Sequence, residues 1–139
     1  MNFFSRIFRR KAVASLDDPV FGHITYESGV WTFLPNPSSR DFMVTVDAVK
    51  SGPSQSQRDF FQEILLNLSD FENLARDYVH DHTQLDVEKW KPSIYSLEIG
   101  GDEETRCQRF VLEMCDSDAN VIHRVSFFRG KPVEYTFDD

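Results

Sequence analysis

A chain of 139 residues is close to the common size of one domain and long enough to bury about two thirds of its unfolded surface, so neither a metal nor a disulfide is needed to hold it. Hydrophobic residues make up 40% of it and charged residues 27%, the profile of a folded soluble domain. The net charge of −8 is unevenly placed: residues 1–11 carry four cations and no acid, leaving 11 cations against 23 acids, or −12, in the rest, a body that repels phosphate and argues against a nucleic-acid partner.

Residues 1–14 open the chain with Phe3, Phe4, Ile7 and Phe8 at helical spacing, interleaved with Arg6, Arg9, Arg10 and Lys11. That pattern predicts a short amphipathic helix. It has the shape of an interfacial membrane anchor, and it equally suits a first helix docked on the domain's own sheet, since so short a helix is marginal alone in water. Apolar runs are four residues or fewer, which predicts neither a transmembrane span nor a secretory signal. "SLDDP" reads as a linker, because Pro19 lacks a donor and pushes Asp18 to an extended shape. The expected organisation is a basic segment over 1–14 and a single α+β domain over 18–139.

"FGHITYESGVWTF" predicts a hairpin turning at Ser28-Gly29. "DFMVTVDAV" alternates cleanly: Phe42, Val44, Val46 and Ala48 share one side, Thr45 and Asp47 the other. Together they predict a three-stranded meander. After "KSGPSQSQ", with Ser54 or Ser56 as a cap, apolar residues recur near a period of 3.6 through Phe61, Ile64, Leu65, Leu68, Phe71, Leu74, Ala75 and Tyr78. The expectation is one long helix over 57–80, bent near Asn67–Ser69 and packed through Phe61, Leu65, Leu68 and Tyr78. Ser69 and Glu72 offer a capping box that would instead start a second helix within 55–81. "SIYSLEI", "TRCQRFVLEMC", "VIHRVSFF" and "VEYTF", separated by turn-forming stretches, predict a second antiparallel meander. The expected fold is therefore α+β: an antiparallel β-meander, one long amphipathic helix, a second antiparallel β-meander, and the short N-terminal helix.

Motifs for chemistry are sparse. Asp77, His80 and His82 in "DYVHDHTQLD" are the candidate metal ligands, but on a helix His80 and His82 do not share a face, and no metal motif supports them. "DSDAN" begins like a calcium loop and then departs from it, with Val121 where Gly is required and Phe127 where Glu is required. There is no G-x-S-x-G elbow and no phosphate loop, and no cofactor is expected. Glu98, Asp102, Glu103 and Glu104 read as a solvated face and hairpin tip, although paired acid–base carboxylates form in space and not in sequence. Phe21, Tyr26, Trp31, Phe33 and Phe42 read as core in preference to a ligand groove. If "TRCQRFVLEMC" is one strand, Cys107 and Cys115 lie about 26 Å apart, beyond the roughly 7 Å a disulfide allows, which fits a reducing, cytoplasmic compartment.

Asp18, Pro19, Phe21, Gly22, Trp31, Gly52, Pro53 and Gln57, spread over residues 1–80, follow an Asp-Pro-x-Phe-Gly, Trp, Gly-Pro, Gln order. In this the chain resembles a group of small bacterial proteins, a domain of unknown function. The resemblance implies the fold outline and carries no activity.

The functional expectation is a non-enzymatic protein-binding or regulatory module with a protein partner, an immunity-like role being a special case in which the acidic face masks a basic surface. One alternative is a peripheral membrane protein, tethered by residues 1–11 through Phe3, Phe4, Arg6, Ile7, Phe8, Arg9 and Arg10. The other is an enzyme or metal-binding protein with a site near Asp77, His80 and His82. The sequence does not set the oligomeric state.

Overall fold

Two tight two-residue turns, Ser28-Gly29 and Arg129-Gly130, each fold a strand back onto its neighbour. Ser28 and Gly29 both take positive φ, 54° and 87°, as do Arg129 and Gly130, at 50° and 77°; that is the backbone twist a tight hairpin needs. A computed structural model describes residues 14–33, 42–84, 86, 93–116 and 121–138. The elements are β1 (Ala14–Asp18), β2 (Gly22–Glu27), β3 (Val30–Phe33), β4 (Met43–Val46), α1 (Gln55–Leu66), α2 (Leu68–Thr83), β5 (Ser93–Ile99), α3 (Asp102–Arg106), β6 (Arg109–Asp116), β7 (Val121–Phe128) and β8 (Lys131–Asp138).

The eight strands of the described residues form one sheet in sequence order. Every neighbouring pair is antiparallel except β4 and β5, which run parallel. This overturns the expected pair of meanders flanking one long helix. A parallel pair requires a crossover of a dozen or more residues, and α1 and α2 are that crossover. The helices therefore join the two halves of a single mixed sheet. The helical region is also two helices: the chain breaks at Asn67 (φ −116°, ψ 17°), whose side chain returns to the Glu63 carbonyl at 3.0 Å. The Ser69–Glu72 capping box does not start α2; Asn67 holds the cap position, and Glu72 is buried in an ion pair with Arg76 at 2.6 Å.

The register divides the side chains into two faces. On the first, one row runs Tyr26, Trp31, Val46, Ile99, Phe110, Phe127, and the next runs Phe33, Val44, Leu97, Leu112, Val125, Tyr135. The helices cover these rows: Phe61 packs on Phe21 and Phe33, Phe60 on Phe110, and Phe71 on Phe110 and Phe127. Phe21, Trp31, Phe33 and Phe42 are all core. Of the predicted helix face, Phe61 and Leu68 are buried and Tyr78 packs at its margin, but Leu65 is 40% exposed. The stripe steps from Ile64 to Leu68 and leaves Leu65 beside it, while the polar Gln57 is fully buried.

Gln57 accounts for its own burial. Its amide nitrogen donates to the carbonyls of Asp47 and Gly100, both at 2.8 Å, and its amide oxygen accepts from the Ser54 backbone at 3.0 Å. It thus closes a capping box with Ser54 and clips the start of α1 to the ends of the two parallel strands. "SLDDP", read as a linker, is strand β1 and the turn after it. Cys107 lies in the turn after α3 and is exposed, so "TRCQRFVLEMC" is not one strand; Cys115 lies on β6, and both thiols are free.

Candidate functional site

The second face of the sheet is polar. One row crosses seven strands, Thr25, Thr32, Thr45, Glu98, Val111, Ser126 and Glu134; beside it run Met43, Ser96, Glu113, Arg124 and Thr136. Alternation makes this inevitable: each strand that buries every second residue under the helices turns the others this way.

A cleft of about 550 Å³ opens on this face where β4 and β5 end and β6 and β8 begin. Among the described residues, Asp47, Glu98, Glu104 and Glu134 contribute carboxylates to its lining against one cation, Arg109, with Thr45, Val111 and Ser126 also lining it. Gly100 lets Glu104 fold close, since a Cβ there would sit 2.8 Å from that of Glu104. A second hollow, of about 440 Å³, lies at the ends of the parallel strands near Ser54, Gln57 and Asp102. There Ser54 donates its hydroxyl hydrogen bond to Asp102, and Gln57 spends its amide on the sheet.

Glu98 forms the inner edge of the cleft, and Glu113 and Arg124 stand behind it. Arg124 reaches Glu113 at 3.1 Å and Glu98 at 3.7 Å. The Glu98 side chain is 39% exposed, whereas that of Glu113 is 10% exposed. The Glu98 carboxyl is pushed up to about 7, foremost by its hydrogen bond with Glu113, then by burial and by the Glu113 charge, with the Arg124 charge opposing. Two carboxyls share one guanidinium and are left to share a proton.

A second polar group lies on the helix-covered face. His123 is buried on β7, its Nδ1 shares a 2.7 Å hydrogen bond with the Tyr135 hydroxyl, and the two rings stack at 5.8 Å. Burial holds His123 below the usual imidazole range, the nearby Asp116 charge opposing, and burial raises the Tyr135 hydroxyl.

The residues singled out from the sequence fall in three places. His82 joins an aromatic column, 4.1 Å from Tyr78 and 6.1 Å from Tyr135, and its Nδ1–H donates to the Tyr78 carbonyl. Asp77 and His80 are exposed on α2. Among the described residues no three His, Cys, Asp or Glu side chains are grouped to hold a metal ion. Phe3, Phe4, Arg6, Ile7, Phe8, Arg9 and Arg10 lie outside the described residues, as do 117–120 of "DSDAN". Of the acidic set, Glu98 and Glu104 line the cleft, and Asp102 faces the other hollow. Glu113 and Arg124 were not singled out. Their signal is a lone charge inside an apolar strand, "VLEMC" and "HRVSFF", which matches the lone Glu of "SLEIG".

No known family, curated protein or solved structure matches the chain. Among the described residues no helix is long and apolar enough to cross a membrane.

Proposed function

We propose that this chain is a non-enzymatic protein-binding module that receives a basic segment of a partner protein on the second face of its sheet. The observation that carries this reading is the cleft itself: among the described residues of its lining, four carboxylates stand with one cation, Arg109, in a recess whose other walls include Val30, Ile99, Phe110 and Val133. Such an arrangement favours an arginine- or lysine-bearing segment and speeds its arrival. The body charge of −12 supports the same choice and disfavours nucleic acid. An immunity-like role, with this face masking a basic surface, is the special case. Two free thiols, one exposed, fit a reducing compartment such as the cytoplasm.

A second reading has one observation in its favour. A carboxyl raised to about 7 beside another carboxyl resembles an acid–base pair. It ranks second because Glu113 is held by Arg124 and its side chain is 10% exposed, which leaves only Glu98 within reach of a substrate.

The test is to add an arginine–glycine repeat peptide to the labelled protein and follow backbone amide shifts. The reading expects movement at Thr45, Glu98, Val111, Ser126 and Glu134 and none along α2. Shifts confined to α2, or no shifts, overturn it. In parallel, a protein captured from host lysate by the wild type should be lost with Glu134→Lys and retained with Glu63→Lys.

A further inference from the structure

Glu98 and Glu113 sit on adjacent strands and point to the same face, and one guanidinium serves both. Two ionised carboxylates against one cation leave a net negative charge where Glu113 has almost no water. Two species can neutralise it: a proton held between the carboxyls, or a second cation entering from the cleft beside Glu98. They compete for the same oxygen atoms.

We propose that the Glu98–Glu113 pair is a proton–cation exchange gate, which gives up its proton when a basic side chain of a docking partner takes its place, so that docking strengthens as pH rises. This rests on the docking reading above. The surroundings of Glu98 fix the sense of the exchange. Asp47 follows β4, Arg109 and Glu113 belong to β6, Arg124 to β7, Glu134 to β8 and Glu104 to α3. On the cleft side three carboxylates outweigh Arg109, and all three favour holding a cation at Glu98. The carboxyl at about 7, raised first by the hydrogen bond to Glu113, agrees with a proton held near neutral pH. Among the described residues Glu98 is the carboxyl placed to make the exchange, because it reaches both Glu113 and the cleft.

Calorimetric titration of the full chain with the arginine–glycine peptide, at about pH 8 and about pH 6 and in two buffers of different ionisation enthalpy, reads the gate directly. Affinity should fall by up to about tenfold per pH unit below about 7, with close to one proton released per peptide bound at the lower pH. Glu98→Gln should bind more weakly and lose both the pH dependence and the proton release. Glu63→Gln, the same charge change on the exposed flank of α1, should keep both. Wild-type binding that is independent of pH, or a Glu98→Gln variant that keeps the wild-type pH dependence, overturns the gate and leaves the docking reading standing. Absence of wild-type binding at both pH values overturns the docking reading and the gate with it. Circular dichroism of each variant establishes that it is folded before binding is read.

Discussion

Two carboxylates, one on each side of the sheet, face arginines and come to opposite ends. Asp18, under the helices, accepts from the backbone amides of Val20 and Phe21 at 2.9 and 3.0 Å and from Arg58 Nε and Nη2 at 2.8 and 2.7 Å. Its side chain is fully buried, and burial alone would raise it; the Arg58 hydrogen bond, the two amides and the Arg58 charge together outweigh burial and hold it below the usual carboxylate range. Glu98, on the other face, shares one arginine with a second carboxyl and is pushed up to about 7. Donor supply decides between them, not burial. Where one carboxylate has four donors the site locks the β1–β2 turn to α1; where two carboxyls divide one guanidinium, charge is left for an outside group to settle.

The strongest way to break this contrast is to test whether the covered face is the structural one. Phe61→Ala, which empties the contact with Phe21 and Phe33, should cost about 4 kcal/mol in chemical denaturation. Leu65→Ala, four residues on but 40% exposed, should cost less than about 1 kcal/mol. Equal losses would mean that α1 packs through a different stripe.

Next in size is Arg58→Ala, which strands Asp18 with its two amides. It should cost about 3 kcal/mol at neutral pH, and the deficit should shrink in acid. The sign follows from Asp18 being lowered: its contribution is present above the unfolded value of 3.8 and is lost as pH falls through the folded value. Once the wild type has lost that contribution, the variant has less left to lack.

Glu98→Gln should act in the opposite sense. A carboxyl at about 7 in the folded chain and 4.5 unfolded binds its proton more tightly when folded, so its contribution is present below about 4.5 and lost as pH rises through about 7. Relative to the wild type, the variant should gain about 1 kcal/mol between those limits, a figure reduced for a side chain that water still reaches. A gain at low pH instead would reverse the assignment.

The smallest effect belongs to His123. Held below 6.5 chiefly by burial, it favours the folded state above that value and loses the contribution as pH falls below it. Thermal melts should show this slope in the wild type and in Glu98→Gln, and not in His123→Gln.

Much of the covered face was legible in the sequence, because it is local. "DFMVTVDAV" alternates as β4 and its flanks do, and Ser28-Gly29 turns as its composition says. The join of the halves was not legible, since pairing of β4 with β5 depends on where a helical crossover returns. Leu65 and Leu74 look like core in a helical count and lie outside it, while Gln57 and Glu72 look like surface and lie inside, satisfied by partners that only the fold supplies. The linker reading of "SLDDP" failed for a related reason: Asp18 and Pro19 do make a turn, but Arg58 draws it into the core. For the second face, Glu98 was visible as one of several acids, and its pairing with Glu113 and Arg124 needed the β5–β6–β7 register. Cys107 and the helical tip α3 hid that register, because "TRCQRFVLEMC" reads as one strand and begins as a helix end.

A pH titration of the side-chain carboxyl carbons by NMR tests the central contrast most directly. Asp18 should titrate below 3.8, and Glu98 should titrate near 7, falling toward the ordinary glutamate range in Glu113→Gln. Asp18 and Glu98 titrating together in the ordinary carboxylate range would contradict the account, because donor supply would then not distinguish the two faces.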